Sequence, residues 1–204
     1  MQRLLTPADY LTTPWKNGRG STIEIMREPA DGSDAFDFGW RVSLASVLED
    51  GPFSAFPGID RTIVVVEGSG MELALGPNRT HRLLPLTPFA FDGGTDVTGK
   101  LIGGPVRDFN IMVKRGVWRC EVDVLRDVQQ FALPLMMPEL MLLHVIDGTW
   151  HARADRLNDF NPVAQETLCL QYDRGAGYVV NGAGTAIMVR LRTVRSWSRA
   201  LEAG

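Results

Sequence analysis

Histidine and cysteine are scarce in this chain. Three histidines (His81, His144, His151) and two cysteines (Cys120, Cys169) stand among 204 residues. Neither cysteine belongs to a Cys-x-x-Cys pair or a nucleophile signature, so two buried thiols in a reducing cytosol are expected. No His-x-His or His-x-x-x-His spacing occurs, which argues against a metalloenzyme. Basic residues do not outnumber acidic ones: 21 Lys and Arg face 24 Asp and Glu, a net charge of −3. Without a basic excess there is nothing to neutralise a phosphate backbone, and nucleic acid is excluded as the expected partner. No apolar run approaches the roughly 20 residues that a membrane span needs. The opening Met1–Pro7 turns polar too early for a signal peptide, so a cytoplasmic protein without a membrane partner is expected. Long helical periodicity, a P-loop, a dinucleotide fingerprint and a nucleophile elbow are all missing. No catalytic residue, metal or cofactor is assigned.

What the chain does contain is punctuation. Its 21 glycines and 12 prolines recur about every ten residues or less, as many short strands joined by turns require. Trp118–Val124 alternates apolar and charged residues, the two-residue period of a half-buried strand. Three hairpins are expected: Ile63–Val66 with Met71–Leu75, Leu142–Ile146 with Thr149–His151 around Asp147-Gly148, and a third centred on Asn181-Gly182. Residues 47–51 and 155–166 read as short helical or irregular turns. The tail after Arg192 reads as fraying or a short helix.

An internal repeat organises the rest. Val66-Glu67-Gly68 returns as Ile146-Asp147-Gly148, Phe91-Asp92 as Tyr172-Asp173, and Ile111–Lys114 as Ile187–Arg190, in the same order. The expected fold is therefore all-β, a duplicated cupin-like barrel or jelly roll. Residues 1–116 would form a first barrel carrying the site. Residues 117–204 would form a second, structural or dimerising, and a homodimer is a fair expectation. In that alignment Asp108 and Asn110 fall opposite Gly184 and Ala186, so the polar copy is the candidate for ligand.

Polar residues cluster in the first half. Trp15, Lys16 and Asn17 sit in a Gly-rich turn. Arg41 and Ser43 share one strand face. Phe53 and Ser54 lie in a loop stiffened by proline and glycine, and Arg61 opens the next strand. Asp108 and Asn110 alternate on a later strand, and facing inward they would need partners. Guanidinium groups fork onto carboxylates, so a small carboxylate is the expected ligand. A metal-independent isomerase or hydrolase using Asp108 or His81 as base stays open, as does a pure interaction scaffold. If Asp147-Gly148 is a two-residue turn, His144 faces His151 as a metal-binding, solvated or interface pair.

These segments resemble the HutD/Ves family. The resemblance rests on Pro14-Trp15-Lys16-Asn17-Gly18 with Gly20 and Thr22, on Trp40-Arg41-Val42-Ser43, and on Gly51-Pro52-Phe53-Ser54 with Phe56, Gly58 and Arg61. Phe91-Asp92-Gly93 and Asp108-Phe109-Asn110 complete the series. It implies a bicupin without the usual metal, binding a pathway metabolite such as urocanate or formylglutamate and moderating histidine utilisation. The Ves branch is tied to environmental stress instead. Arg19 stands where the family commonly has a further glycine.

Overall fold

The structure is a computed structural model that describes residues 2–29, 37–132, 140–154, 159–171 and 178–194. The expected all-β, duplicated cupin-like architecture is what the chain builds. The strands are β1 (Gln2–Leu5), β2 (Leu11–Pro14), β3 (Gly20–Glu28), β4 (Trp40–Val47), β5 (Gly51–Pro52), β6 (Ile59–Glu67), β7 (Met71–Leu75), β8 (Thr80–Leu83), β9 (Phe89–Asp92), β10 (Val97–Leu101) and β11 (Val106–Lys114). They continue as β12 (Trp118–Ala132), β13 (Leu140–Val145), β14 (Thr149–Ala154), β15 (Asp159–Phe160), β16 (Thr167–Gln171) and β17 (Tyr178–Thr193).

Two compact units result: Tyr10–Trp118, and the described residues of Met1–Asp9 with Arg119–Gly204. The opening residues, grouped by the sequence reading with the first barrel, lie with the second, because β1 pairs antiparallel with β16 from Gln2↔Leu170 to Leu5↔Thr167. In the Tyr10–Trp118 unit a six-stranded sheet, ordered β2-β3-β4-β11-β6-β9, accompanies a four-stranded one, β5-β10-β7-β8. Ile63, Val65, Met71, Leu73, Leu83 and Val97, drawn from both sheets, form one buried cluster. Burying the apolar face of each sheet against the other is what holds such a sandwich closed.

The second unit places β1-β16-β13-β17-β14-β15 side by side, with β12 also on β17. Its interior is largely apolar: Leu125, Met141, Leu143, Trp150, Leu168 and Met188 pack in one cluster, and His144 and Thr167 are buried polar members of the unit. The repeat is visible in the pairing. The strand that leads into the first echo lies beside the strand that carries the last, β6 on β11 and β13 on β17. The Tyr172-Asp173 echo and residues 155–158 lie outside the described residues, as does the tail from residue 195. Asp159–Phe160 is a short strand and residues 161–166 are irregular. Residues 48–50 are irregular as expected, between β4 and β5.

None of the three hairpins forms. β6 and β7 belong to different sheets, so the chain at Glu67–Gly70 turns a corner and does not close a ladder. β13 and β14 are separated by β17, which pairs with both. His144 therefore opposes Ile187 and Thr167, whereas His151 opposes Asn181. Asn181-Gly182 runs inside β17, where a Cβ at Gly182 would lie 2.4 Å from the Trp150 ring. That glycine serves close packing of an indole, not a turn. Jelly-roll connectivity explains the first two misreadings: successive strands pass to a different sheet or leave a place for a later strand.

Candidate carboxylate-binding cavity

Strand alternation sets the inner face of the six-stranded sheet. Arg41, Ser43, Ala45 and Val47 of β4 point one way, and Asp108, Asn110 and Met112 of β11 point with them. Register then fixes the neighbours: Asn110 opposes Ser43, and Met112 lies between Arg41 on one side and Arg61 on the other. Phe91 of β9 opposes Arg61. Beyond these polar rows the same face turns apolar and joins the buried cluster at Val47, Val65 and Val106. What remains is a cavity of about 540 Å³, lined by all ten residues singled out from the sequence. The cavity is large enough for a small metabolite.

Arg61 is its most constrained member. The residue is 5% exposed. Its Nη2 donates to Asn110 Oδ1 at 2.8 Å, and Nη1 reaches the Ser54 carbonyl at 3.4 Å. Three rings enclose the guanidinium, with centroids at 5.6 Å (Phe53), 5.5 Å (Phe56) and 5.0 Å (Phe91). Ring faces stabilise a cation that water has left. Burial nonetheless pulls the Arg61 pKa down to about 10, with Asp108 opposing the shift and Arg41 adding to it. The cation persists at neutral pH.

Asn110 couples this cation to an acid. Its Nδ2 donates to Asp108 Oδ1, so the amide is oriented from both sides. Asp108 is 1% exposed. Burial pushes its carboxyl up to about 7, against the pull of Arg61. Asp108 Oδ2 and Arg61 Nε have no partner among the described residues. Idle buried polar atoms are costly, and in a cavity wall they mark where a ligand's polar atoms would sit.

The remaining members differ in their commitments. Arg41 Nε donates to Glu24 Oε2 at 2.7 Å, and Arg27 adds a contact to Glu24 Oε1 at 3.5 Å. Glu24 was not singled out from the sequence. The alternation of Thr22 and Glu24 on one strand was the available signal, but the β3 bulge between Glu24 and Met26 obscures it. Ser43 is buried at the cavity wall. Trp15 donates from Nε1 to Thr22 Oγ1 at 2.8 Å and lies over Gly20. Lys16 and Asn17 are exposed at the rim. The Asn17 side chain accepts from Arg19 N at 3.0 Å. Arg19 itself turns towards Glu49 and the Asp50 carbonyl, away from the cavity lining. Ser54 contributes through its carbonyl. Phe56 and Met112 also line the wall, and periodicity alone did not separate them from core residues.

The histidines lie elsewhere. His81 stacks on Phe89 with ring centroids 3.6 Å apart and is absent from the cavity lining. His144 is buried with Nδ1 2.8 Å from Thr167 Oγ1. His151 Nε2 lies 3.9 Å from Asp159 Oδ1. The expected His144–His151 pair is not formed, because β17 separates their strands. Among the described residues no three His, Cys, Asp or Glu side chains are grouped as metal ligands. No helix among them is long and apolar enough to cross a membrane.

Comparison with known proteins bears on fold and family. An uncharacterized 21.2 kDa protein in the hutC 3′ region of Pseudomonas putida is 46% identical over 110 residues, 54% of this chain and 57% of that one. The match thus spans little more than half of that relative's length. A conserved protein of unknown function from Pseudomonas aeruginosa PAO1 is 31% identical, with a TM-score of 0.84 over 94% of this chain and 99% of the other. HutD from Pseudomonas fluorescens SBW25 is also 31% identical, with a TM-score of 0.79 over 95% and 99%. The HutD family model matches residues 7–188, and the chain accordingly belongs to the HutD family, which is linked to histidine utilisation.

Proposed function

We propose that this protein binds a small carboxylate metabolite of histidine breakdown, of the urocanate or formylglutamate kind, and moderates flux through that pathway. One observation carries the reading. A buried guanidinium whose Nε has no partner among the described residues faces a cavity of metabolite size, held by Asn110 and three phenylalanine rings. A carboxylate is the group that matches a guanidinium's parallel donors. Lys16 at the rim supplies a second cation for a ligand with two anionic ends. The second barrel, whose core cluster is apolar, supplies scaffold and a surface for self-association.

The test is thermal shift and calorimetry against urocanate and formylglutamate, with and without chelator. Binding to the native state alone raises the melting temperature by mass action. The expected outcome is a shift with at least one of the two, unchanged by chelator. Replacing Arg61 by Met, which keeps much of the volume and removes the charge, is expected to weaken binding by about tenfold or more, since a hydrogen bond to a charged group contributes about 1.5–3 kcal/mol. Equal affinity in the folded variant would remove Arg61 from the site.

A second reading, a metal-independent enzyme using Asp108 as general base, draws on the raised carboxyl in the cavity wall. It requires turnover of the bound metabolite, which proton NMR of the same mixtures would reveal.

A further inference from the structure

Asp108 and Arg61 are unusual neighbours for an anion site. Each is almost wholly buried, each presents an idle polar atom, and both line one cavity. A carboxylate docking on Arg61 brings a second negative charge beside Asp108, whose side chain is buried from solvent. Like charges at such range cannot both persist cheaply. The wiring determines which atom responds. Asp108 Oδ1 is already an acceptor from Asn110 Nδ2. Oδ2 is open, so a proton placed there makes an O–H donor free for the ligand.

We propose that the cavity takes up its carboxylate ligand together with one proton, which Asp108 holds on Oδ2 and donates as a hydrogen bond to the ligand carboxylate beside Arg61. This rests on the carboxylate-binding reading above. The balance is simple: ionised Asp108, one solvent proton and the ligand anion become a neutral carboxyl hydrogen-bonded to a carboxylate. In the free protein burial already lifts this carboxyl to about 7, so the step needs only a further rise on binding. The charged groups around the site are Arg61 on β6, Arg41 with its partner Glu24 on β4 and β3, and Lys16 at the β2–β3 turn. No histidine contributes to the lining. The consequence is pH-dependent occupancy: affinity falls as pH rises through and above neutrality.

Calorimetry with formylglutamate as probe tests this, because its carboxyls do not titrate near neutrality. Titrations at pH 6, 7 and 8 in phosphate and in Tris give the proton count from the difference in heats. The expected result is little uptake at pH 6 and uptake approaching one proton at pH 8. Kd should then rise by up to about tenfold per pH unit above 7, the limit for one linked proton. Asp108→Asn should bind with no proton uptake and a nearly flat pH profile. If that variant does not fold, the wild-type proton count decides alone. Binding without uptake at any pH, or with proton release, overturns the proton step and leaves the carboxylate reading standing. Formylglutamate giving no heat and no thermal shift at all three pH values overturns both for this probe.

Discussion

Asp108 couples protonation to stability. Its folded pKa of about 7 lies above the ordinary carboxyl value of 3.8 because burial outweighs the attraction of Arg61. For an acid shifted upward, folding takes up a proton between those two values. The stability present below about pH 4 is therefore lost progressively as pH rises towards 7, and the penalty is constant above that. Asp108→Asn removes this dependence. The difference in melting temperature, variant minus wild type, is expected to grow by several degrees from pH 5 to pH 8, at roughly 3 °C per kcal/mol for a chain of this size. Differential scanning calorimetry at the two pH values checks it, and an unchanged difference would mean that Asp108 ionises without cost. The groups that shape the site were partly legible as residues. Asp108 and Asn110 stood out because polar side chains on alternating strand positions need partners, and Arg61 as a guanidinium opening the strand after the Pro/Gly loop. That Asn110 bridges the other two was not legible, since the link spans residues 61 to 110 and depends on β6 lying beside β11.

At the scale of elements, the tip of β2 and β3 positions Trp15 against the cavity. Gly20 allows it: a Cβ there would sit 2.1 Å from the Ser46 carbonyl and 2.9 Å from the Trp15 ring. Gly20→Ala is expected to separate β3 from β4 locally and to destabilise the fold by about 1–3 kcal/mol, as overpacking does. A lowered denaturation midpoint, with altered Trp fluorescence, is the measurement. Strand identities were well marked by alternation and by glycine and proline. Their partners were not. The expected hairpins failed for different reasons: β6 and β7 go to different sheets, β17 enters between β13 and β14, and Asn181-Gly182 continues one strand under Trp150.

For the whole molecule, the first strand serves the last barrel. β1 covers the edge of β16, and Arg3 opposes Cys169. Cys169 is fully buried, and burial pushes its thiol up to about 11, which keeps it unreactive. Removing residues 1–9 should expose that edge and lower stability. Cys169 should then react with a thiol reagent such as DTNB many-fold faster than in the intact chain, the comparison made in a Cys120→Ser background. Unchanged labelling would mean that β1 is dispensable cover. Fold class, duplication and ten residues of the cavity wall were legible in the sequence, because period-two alternation, turn residues and repeated motifs are local properties of the chain. Tertiary structure decided which strands pair, where β1 goes, and how Asn110 joins a buried arginine to a buried acid. Those contacts cross tens of residues, and burial, which no local pattern records, gives the two charges their chemistry.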